Sequence, residues 1–553
     1  MSCRYNQTKD GHSTGIWHDS VNSTGERAFR LFTNEFLHTK VHPIVFELLE
    51  ELKKIKAKNV YIVGGVGRDL YYAFKHGKTP YEVDNSDIDI EIHGVPFSQV
   101  IEAAKMVGKV TVHAQSFVVA KLWFGNGKND YIDLSSPRRE RYVAKIHCST
   151  CGGEFAYPEV PSEMRRAHLC PSCGATTLKN VGDRHDYDVE ENHNMTLAEA
   201  AERRDTTINS MALSLYDEIL YDPYNGKADI DNGIVRMVSR ETFPQDELRF
   251  WRAARQASKY GFTIDREIYK LAVEYLDRQP YLDKSRVVGE AMKMFGTGRK
   301  FREAMDFLMY SQWFKVKDPE RVAENTRKLD AYLEANNYAH PVKNTPQHPY
   351  RRAIWNAAVI LDGEPESAFS RNCKTVTKTE KQGQPANGKK GKTDDEQEDY
   401  KKFNRLYAHF HKVLNTRRIT RKNVLYMLSD PLRQDTADRF TWDEIIEARR
   451  ILGKPEPSAS AIELLKRYNY QVPPKIMRGN EVEEVLNKFG VHRKNTLPKG
   501  EINRQPDGQV FIAPNWLGDI DRLLRTKQMQ GEIFTREDAE NVIREWVKSV
   551  KAS

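Results

Sequence analysis

No stretch of this chain is apolar over the roughly twenty residues a helix needs to cross a bilayer. Met1 to Thr24 is polar and lacks the apolar core of a secretory signal, so a cytoplasmic protein is expected. Cysteine is scarce, six in 553 residues, which excludes a disulfide framework. Hydrophobic residues make up 39% and charged residues 30%, a balance that suits several small cores better than one large globule. The length itself sets a prior of about three to five domains. Residues 373–399 contain almost no large apolar side chain and cannot bury enough surface to offset chain entropy, so disorder is predicted there. There is no internal repeat, and nothing indicates an obligate protein partner. The net charge of +8 is a mild basic excess that suits a polyanionic partner without specifying one.

Four of the six cysteines form one pattern. Cys148-x2-Cys151 and Cys170-x2-Cys173 have the spacing of a four-thiolate zinc site, and Gly152, Gly153 and Gly174 supply tight turns after each pair. Four thiolates close the Zn²⁺ shell and leave no open position for catalysis, so a structural role is expected. His147 and His168 stand close enough to substitute as ligands, and Arg165 and Arg166 leave a role in gripping RNA open. Cys3 and Cys373 lie in polar segments and read as bystanders.

The densest chemistry lies earlier. Val60 to Asp69 reads VYIVGGVGRD: an apolar run ends in Gly64-Gly65 and continues into a helix-like Val66 to Ala73. A bare glycine backbone lets a polyphosphate approach, and a helix N-terminus favours its charge. Asp87 to Glu91 then alternates acid and isoleucine, so as a strand it places Asp87, Asp89 and Glu91 on one face, successive acids about 7 Å apart. Hard oxygen ligands of this kind suit Mg²⁺, which takes one or two carboxylates plus substrate phosphates. Together the two stretches read as a nucleotidyl-transfer site.

Helical spacing is evident over 41–57, and β-like runs follow at 110–113, 117–124 and 131–134, with the cysteine segment interrupting them as an insertion. From Leu197 onward the pattern is mostly helical, with amphipathic stretches at 246–260, 266–276, 287–295 and 302–309, and a further helix is expected over 400–414. Arg417, Arg418, Arg421 and Lys422 form a basic run, read as a solvated face or an RNA contact. Arg203-Arg204-Asp205 carries paired guanidiniums able to clamp phosphate, although the same triplet also serves as a surface ion pair. Asp246, Arg249, Arg252 and Arg255 recur every three residues, as an exposed ladder or as a base-reading face. An aspartate that accepts beside an arginine that donates complements cytosine and adenine alike and mismatches guanine and uracil.

The order of these motifs resembles the class II tRNA nucleotidyltransferases (CCA-adding enzymes) and the related bacterial poly(A) polymerases. The matches are Gly64 to Asp69, Asp87 to Asp89, Pro137 to Glu140, Arg203 to Asn209, Asp222 to Gly226 and Gln245 to Arg249. They are specific over residues 58–310, fade through the helical region, and return at Lys475 to Gly479, Trp516 to Gly531 and from Thr535 onward, which resemble the family's tail helices. The resemblance implies that Asp87 and Asp89 bind catalytic Mg²⁺. It implies that Gly64, Gly65, Arg68 and Arg204 hold the nucleotide phosphates and ribose. Asp246 and Arg249 would read the base, with Arg252 and Arg255 nearby. Asp133 is either a third metal-facing carboxylate or a plain edge-strand aspartate. Gly67, Gln245 and Thr206 depart from the pattern, and Gly67 is expected to loosen the glycine turn. An adjacent His185-Asp186 pair lacks the second His and Asp that a metal phosphohydrolase needs.

The expected fold is α+β: a small mixed-sheet nucleotidyltransferase head with an inserted four-cysteine zinc module, then a mostly helical neck, body and tail. The boundaries read as an N-terminal extension over 1–40, the head over 41–225 with the zinc insertion near 146–180, and the neck over 226–330. The body over 331–470 contains the 373–399 linker, and the tail spans 471–553. The expected activity is addition of C and A to the tRNA 3′ end from CTP and ATP, releasing pyrophosphate. The rivals are a poly(A) polymerase or a partial C- or A-adding enzyme on the same scaffold, and, from another class, a non-catalytic RNA-binding protein.

Overall fold

The computed structural model describes residues 15–16, 23–83, 87–112, 118–127, 130–142, 145–156, 159–180, 187–282, 284–344, 350–365, 440–467, 476–529 and 532–552, with single positions between 403 and 419. His185-Asp186, Cys3, Cys373, the 373–399 segment, most of 400–414 and the basic run from Arg417 to Lys422 lie outside the described residues. The chain divides into two compact units, whose described residues are those up to Tyr338 in the first and those of Ala339–Glu366 and from Lys401 onward in the second. Among the described residues no helix is long and apolar enough to cross a membrane.

The first unit is built on an eight-stranded sheet of β1 (Gly15–Ile16), β2 (Asn59–Val63), β3 (Asp89–His93), β4 (Lys109–Val112), β5 (Val119–Trp123), β6 (Tyr131–Ser135), β12 (Ala212–Ser214) and β13 (Leu220–Asp222). Their spatial order is β1-β13-β12-β2-β3-β6-β5-β4. All neighbours are antiparallel except β3 and β6, which run parallel. Four of five residues are buried in both central strands: Val60, Tyr61, Ile62 and Val63 in β2, and Ile90 and Ile92 with the ion-paired Glu91 and His93 in β3. Helices α1 (Ser23–Lys40) and α2 (Ile44–Lys54) precede β2, with Leu48, Leu49 and Leu52 giving α2 its buried stripe. Helix α3 (Gly65–Lys75) follows the glycine turn and α4 (Phe97–Lys105) follows β3. The apolar Met211 to Leu220 segment forms the β12–β13 hairpin.

After β6 the chain leaves the sheet along β7 (Arg138–Tyr142) and returns along β11 (Tyr187–Glu191), an antiparallel ribbon in register from Tyr142↔Tyr187 to Arg138↔Glu191. Between them β8 (Lys145–Cys148), β9 (Glu154–Ala156), the short helix α5 (Ser162–Arg166) and β10 (Leu178–Asn180) build the cysteine module, with sheet order β10-β8-β9. Its small core is Ile146, Cys148, Val160, Cys170 and Leu178. Helices α6 (Leu197–Ala201) and α7 (Gly226–Asn232) and the paired β14 (Ile234–Val235) and β15 (Thr263–Ile264) lead into α8 (Leu248–Tyr260), α9 (Arg266–Glu274), a 3-10 helix (Leu276–Tyr281), α10 (Lys284–Thr297), α11 (Arg302–Tyr310) and α12 (Pro319–Ala335). Fully buried Phe250, Trp251, Phe295, Phe307 and Trp313 weld this helical layer.

The second unit contains α13 (Arg351–Ile360) and the helices Trp442–Ile451 and Ala459–Arg467. Buried Arg351 pairs with Glu444 at 2.6 Å, and Trp355 Nε1 donates to the Glu444 carbonyl at 2.9 Å. The expected helical tail also carries a three-stranded sheet, β16 (Val491–Arg493), β17 (Ile502–Arg504) and β18 (Val510–Ile512), ordered β16-β18-β17. These strands and the helices Gly479–Lys488, Asn515–Met529 and Arg536–Ala552 share a core of Val482, Leu486, Val491, Ile512, Ile520 and Ile543.

Candidate active site

The glycine turn and the acidic strand meet. Gly64 has φ of 85°, which favours glycine, and it turns β2 into α3, whose first residue is Gly65. Val63 pairs with Asp89 across the sheet, and Asp89 Oδ2 lies 3.4 Å from where a Cβ on Gly64 would stand. The strand starts at Asp89, two residues later than the alternation implied. β2 turns away after Val63, so no strand on that side remains to pair with Asp87. Asp87 therefore sits exposed in the segment entering β3 rather than within it.

Asp133 is the direct register partner of Asp89 on the parallel strand β6. That strand lies between β3 and β5, so the edge-strand reading of Asp133 is incorrect: it stands beside the acidic strand, with Lys121 at 3.0 Å. Burial, then repulsion from Asp133, pushes the Asp89 carboxyl up to about 6, with Asp87 adding to the rise and Arg204 and Lys121 opposing it. Among the described residues only the four cysteines form a closed set of three or more ligand atoms. The carboxylates make an open set, whose chemistry fits a hard divalent cation that also takes water and phosphate oxygens.

Glu91, the third acid of the alternating stripe, is not a surface acid. It is 1% exposed and receives His93 Nε2 at 3.1 Å, Arg203 at 3.0 Å and Arg204 at 3.5 Å. Burial alone would raise its pKa. His93, Arg204 and Arg203 more than offset this and hold it well below the usual carboxylate range. Arg203 continues to Glu140 at 3.6 Å, and Arg138 reaches the same carboxylate at 2.8 Å, which ties the ribbon to the arginine pair. Arg204 is thus held between Glu91 and the field of Asp89. Arg68 is engaged elsewhere: its Nε and Nη2 both donate to Asp69 at 3.0 Å, and Nη1 donates to Asn209. Asp69 also accepts from the Tyr260 hydroxyl.

Two departures from the motif pattern have local partners. Gly67 does not loosen the turn. A Cβ there would lie 3.0 Å from Met211 Cβ and 3.1 Å from Leu220 Cδ1, so its absence lets α3 close on the β12–β13 hairpin. Thr206 is fully buried, and its hydroxyl donates to Gln256 Oε1 at 2.9 Å, a polar pair where an apolar residue was expected.

The three-residue ladder begins before its helix. α8 starts at Leu248, after the 3-10 turn Phe243–Gln245, so Asp246 occupies the entry and accepts from the Leu248 N–H at 3.2 Å. The ladder is not an exposed face. Asp246 pairs with Arg286 at 2.9 Å, Arg252 lies 3.9 Å from Asp205 and 3.7 Å from Glu290, and Arg255 meets Glu290 at 2.6 Å. Burial would raise the Asp246 pKa, but Arg286, Arg252 and Arg249 lower it. Arg249 is buried and donates to the carbonyls of Thr242 and Arg203, which joins α8 to the arginine pair. Arg286 and Glu290 carried no signal in the sequence; Asn209 did as the last residue of the Arg203 to Asn209 motif, and Glu91 through its place on the acidic stripe.

The four Sγ atoms of Cys148, Cys151, Cys170 and Cys173 lie within 4.8 Å of one another, with Cys148–Cys173 and Cys151–Cys170 both at 3.7 Å. A tetrahedral zinc site with Zn–S bonds of about 2.3 Å separates its sulfurs by about 3.8 Å, so the donor set fits. The two pairs form the same knuckle: Gly152 and Gly174, at φ of 73° and 69°, each donate at 2.9 Å to the carbonyl of the first cysteine. Neither histidine belongs to the set, and His168 Nδ1 instead contacts the Leu178 carbonyl at 3.1 Å. Arg165 is also unavailable for RNA, being buried against Asp277 at 3.2 Å.

Residues 60–236 match a family described as the poly A polymerase head domain. An A-adding tRNA nucleotidyltransferase of Halalkalibacterium halodurans is 26% identical over 235 residues, which cover 41% of this chain and 42% of that protein. A multifunctional CCA protein of Vibrio parahaemolyticus is 44% identical over 86 residues, 15% of this chain and 21% of that protein. The chain thus covers less than half the length of these curated relatives. A solved structure of the Thermotoga maritima CCA-adding enzyme with tRNA aligns at a TM-score of 0.48 and 17% identity, over 93% of this chain and 98% of that one.

Proposed function

We propose that this chain transfers CMP and AMP from CTP and ATP to the 3′ end of tRNA, releasing pyrophosphate, a reading supported by the match of residues 60–236 to the poly A polymerase head domain family. The observation that carries this reading is the Asp89 carboxylate held against the Gly64 turn and beside Asp133. Asp87 and Asp89 hold Mg²⁺, with Asp133 as a third acid in the same field. When bound, the ions activate the RNA 3′-hydroxyl and steady the leaving pyrophosphate.

The chain's own side chains do the positioning. The Gly64-Gly65 backbone admits the triphosphate, and Arg204, braced by Glu91, faces its charge. Arg68 acts through Asp69 and Asn209, fixing α3 rather than gripping phosphate directly. Asp246 and Arg249 read the base, with Arg252 and Arg255 set by Asp205 and Glu290. The cysteine cluster holds structural Zn²⁺.

The test is incubation with tRNA lacking its CCA end, with CTP and ATP separately and together. Addition of C with CTP alone and of CCA with both supports the reading, whereas a long run of A without C overturns it in favour of a poly(A) polymerase. The similarity to an A-adding enzyme favours one second reading. On that reading only a tRNA already ending in CC would be extended, by a single A. No incorporation on any RNA would leave the non-catalytic RNA-binding alternative.

A further inference from the structure

Arg165 belongs to the cysteine module, on the five-residue helix α5, yet it is only 6% exposed. Its Nε meets Asp277 Oδ2 at 3.2 Å, its Nη2 donates to the Glu274 carbonyl at 3.3 Å, and its guanidinium lies 5.4 Å from the Tyr275 ring centroid. All three partners stand at the end of α9 and the start of the following 3-10 helix. Tyr275 also packs on the apolar core of the module. One side chain therefore docks the module onto the helical layer through charge, hydrogen bonding and ring contact together.

The same 3-10 helix reaches the entry of α8. Arg278, the neighbour of Asp277, pairs with Glu247 in a contact where the two residues are 5% and 9% exposed. Gln279 Nε2 donates to the Trp313 carbonyl at 2.9 Å. Glu247 immediately follows Asp246, and Asp246 takes its own ion pair from Arg286, near the start of the helix that follows the 3-10 segment. The six residues Leu276–Tyr281 thus have the cysteine module on one side and the Asp246–Arg249 turn on the other. Buried charge pairs do not slide past one another continuously, so a displaced 3-10 helix carries Glu247 with it.

We propose that Arg165 is a positioning residue for nucleotide selection: by fixing the 3-10 helix it fixes Glu247, and through it the orientation of Asp246 and Arg249. This rests on the base-reading role given to those two residues above. Charge on the module speaks for docking over RNA grip, since Lys145, Arg165, Arg166 and Lys179 are set against Glu154, Glu159 and Glu163, and Arg165 is enclosed.

The test uses the full chain with Arg165→Gln, its zinc content measured alongside. The first readout is hydrogen exchange of the amides over 246–250, where Leu248 N–H donates to Asp246 Oδ1 at 3.2 Å and Arg249 N–H to the Asp246 carbonyl at 2.9 Å. The second is kcat/KM for CTP and ATP against UTP and GTP. We expect faster exchange at 246–250 and an about fivefold loss of discrimination, carried by KM, at unchanged zinc content. Asp277→Asn should reproduce both effects from the other side of the contact, and Arg165→Lys should restore them in part.

Unchanged exchange and discrimination in both variants would overturn the proposal. So would an equal fall in kcat for all four nucleotides, the mark of simple loss of fold. If Arg165→Gln sheds metal or fails to fold, Asp277→Asn, which leaves the interior of the module intact, decides on the same readouts. The exchange measurement needs no turnover, so a protein that adds neither C nor A but shows faster exchange in the variants defeats the proposed function, and the selection role with it, while the coupling of Arg165 to the 246–250 turn stands. Normal CCA addition with unaltered exchange and discrimination in the variants defeats only this inference.

Discussion

At the scale of single residues, the acidic stripe of β3 divides its labour. Asp89 keeps a raised pKa beside Asp133, while Glu91, two residues on, is clamped by His93, Arg203 and Arg204. Asp89→Ala should lower nucleotide incorporation by at least about a hundredfold with little change in tRNA affinity, read by single-turnover assay and filter binding. Asp133→Asn should instead weaken the Mg²⁺ dependence, by about tenfold in half-saturating concentration. Glu91→Gln acts on stability. Its removal leaves the half-buried Arg203 and Arg204 without their shared carboxylate, a loss of about 3 kcal/mol in urea unfolding. Because the folded Glu91 pKa lies below the ordinary value, that contribution is complete above about pH 4.3 and is lost only as pH falls through the folded value. The wild-type and variant curves should therefore run parallel from pH 5 to 8 and converge in strong acid. The alternation of acid and isoleucine made the stripe readable from the sequence, but nothing in one strand's periodicity reveals which acids a distant arginine pair will enclose.

At the scale of elements, local periodicity was a good guide where contacts are local. α2, α3, α9 and α11 appear where apolar spacing put them. What spacing did not reveal is pairing across distance. Asp87 falls outside β3 because its would-be neighbour turns into α3, and β7 finds its partner β11 only across the whole cysteine module. Gly67 illustrates the same limit: its reason is the hairpin packed against α3, more than a hundred residues downstream. Gly67→Val should therefore destabilise the head by about 1–3 kcal/mol through overpacking, seen as a lower melting temperature, while a surface substitution such as Lys54→Val should not. Cys148→Ser should release the metal and open the module to proteolysis between β8 and β10 while β2, β3 and β6 stay protected, as mass spectrometry of limited digests would detect.

At the scale of the molecule, the two units carry separate cores and separate sensitivities. In the second unit, burial, together with the charge of Arg352, pushes the His340 ring down to about 4 although Asn356 accepts from it. A folded pKa below the unfolded value means stability is complete above about pH 6.5 and falls as pH drops toward 4, by about 3 kcal/mol in all. Thermal unfolding of the wild type should show this loss, and His340→Gln should flatten it. The terminal segment has a core of its own, so a fragment of residues 476–553 should unfold cooperatively by circular dichroism. Its three short strands were not readable beforehand, because Val491–Arg493 and Val510–Ile512 are too brief for any alternation to register.

The ribbon β7–β11 sets one more condition on this architecture. Tyr142 and Tyr187 are register partners, so the intervening polypeptide departs and comes back at a single doorway in the host. A guest whose two ends share one threshold imposes little closure penalty on its host, and a tight hairpin turn would seal the opening if the guest were removed. With such a module present or absent, no strand of the eight-stranded sheet would need to be rebuilt.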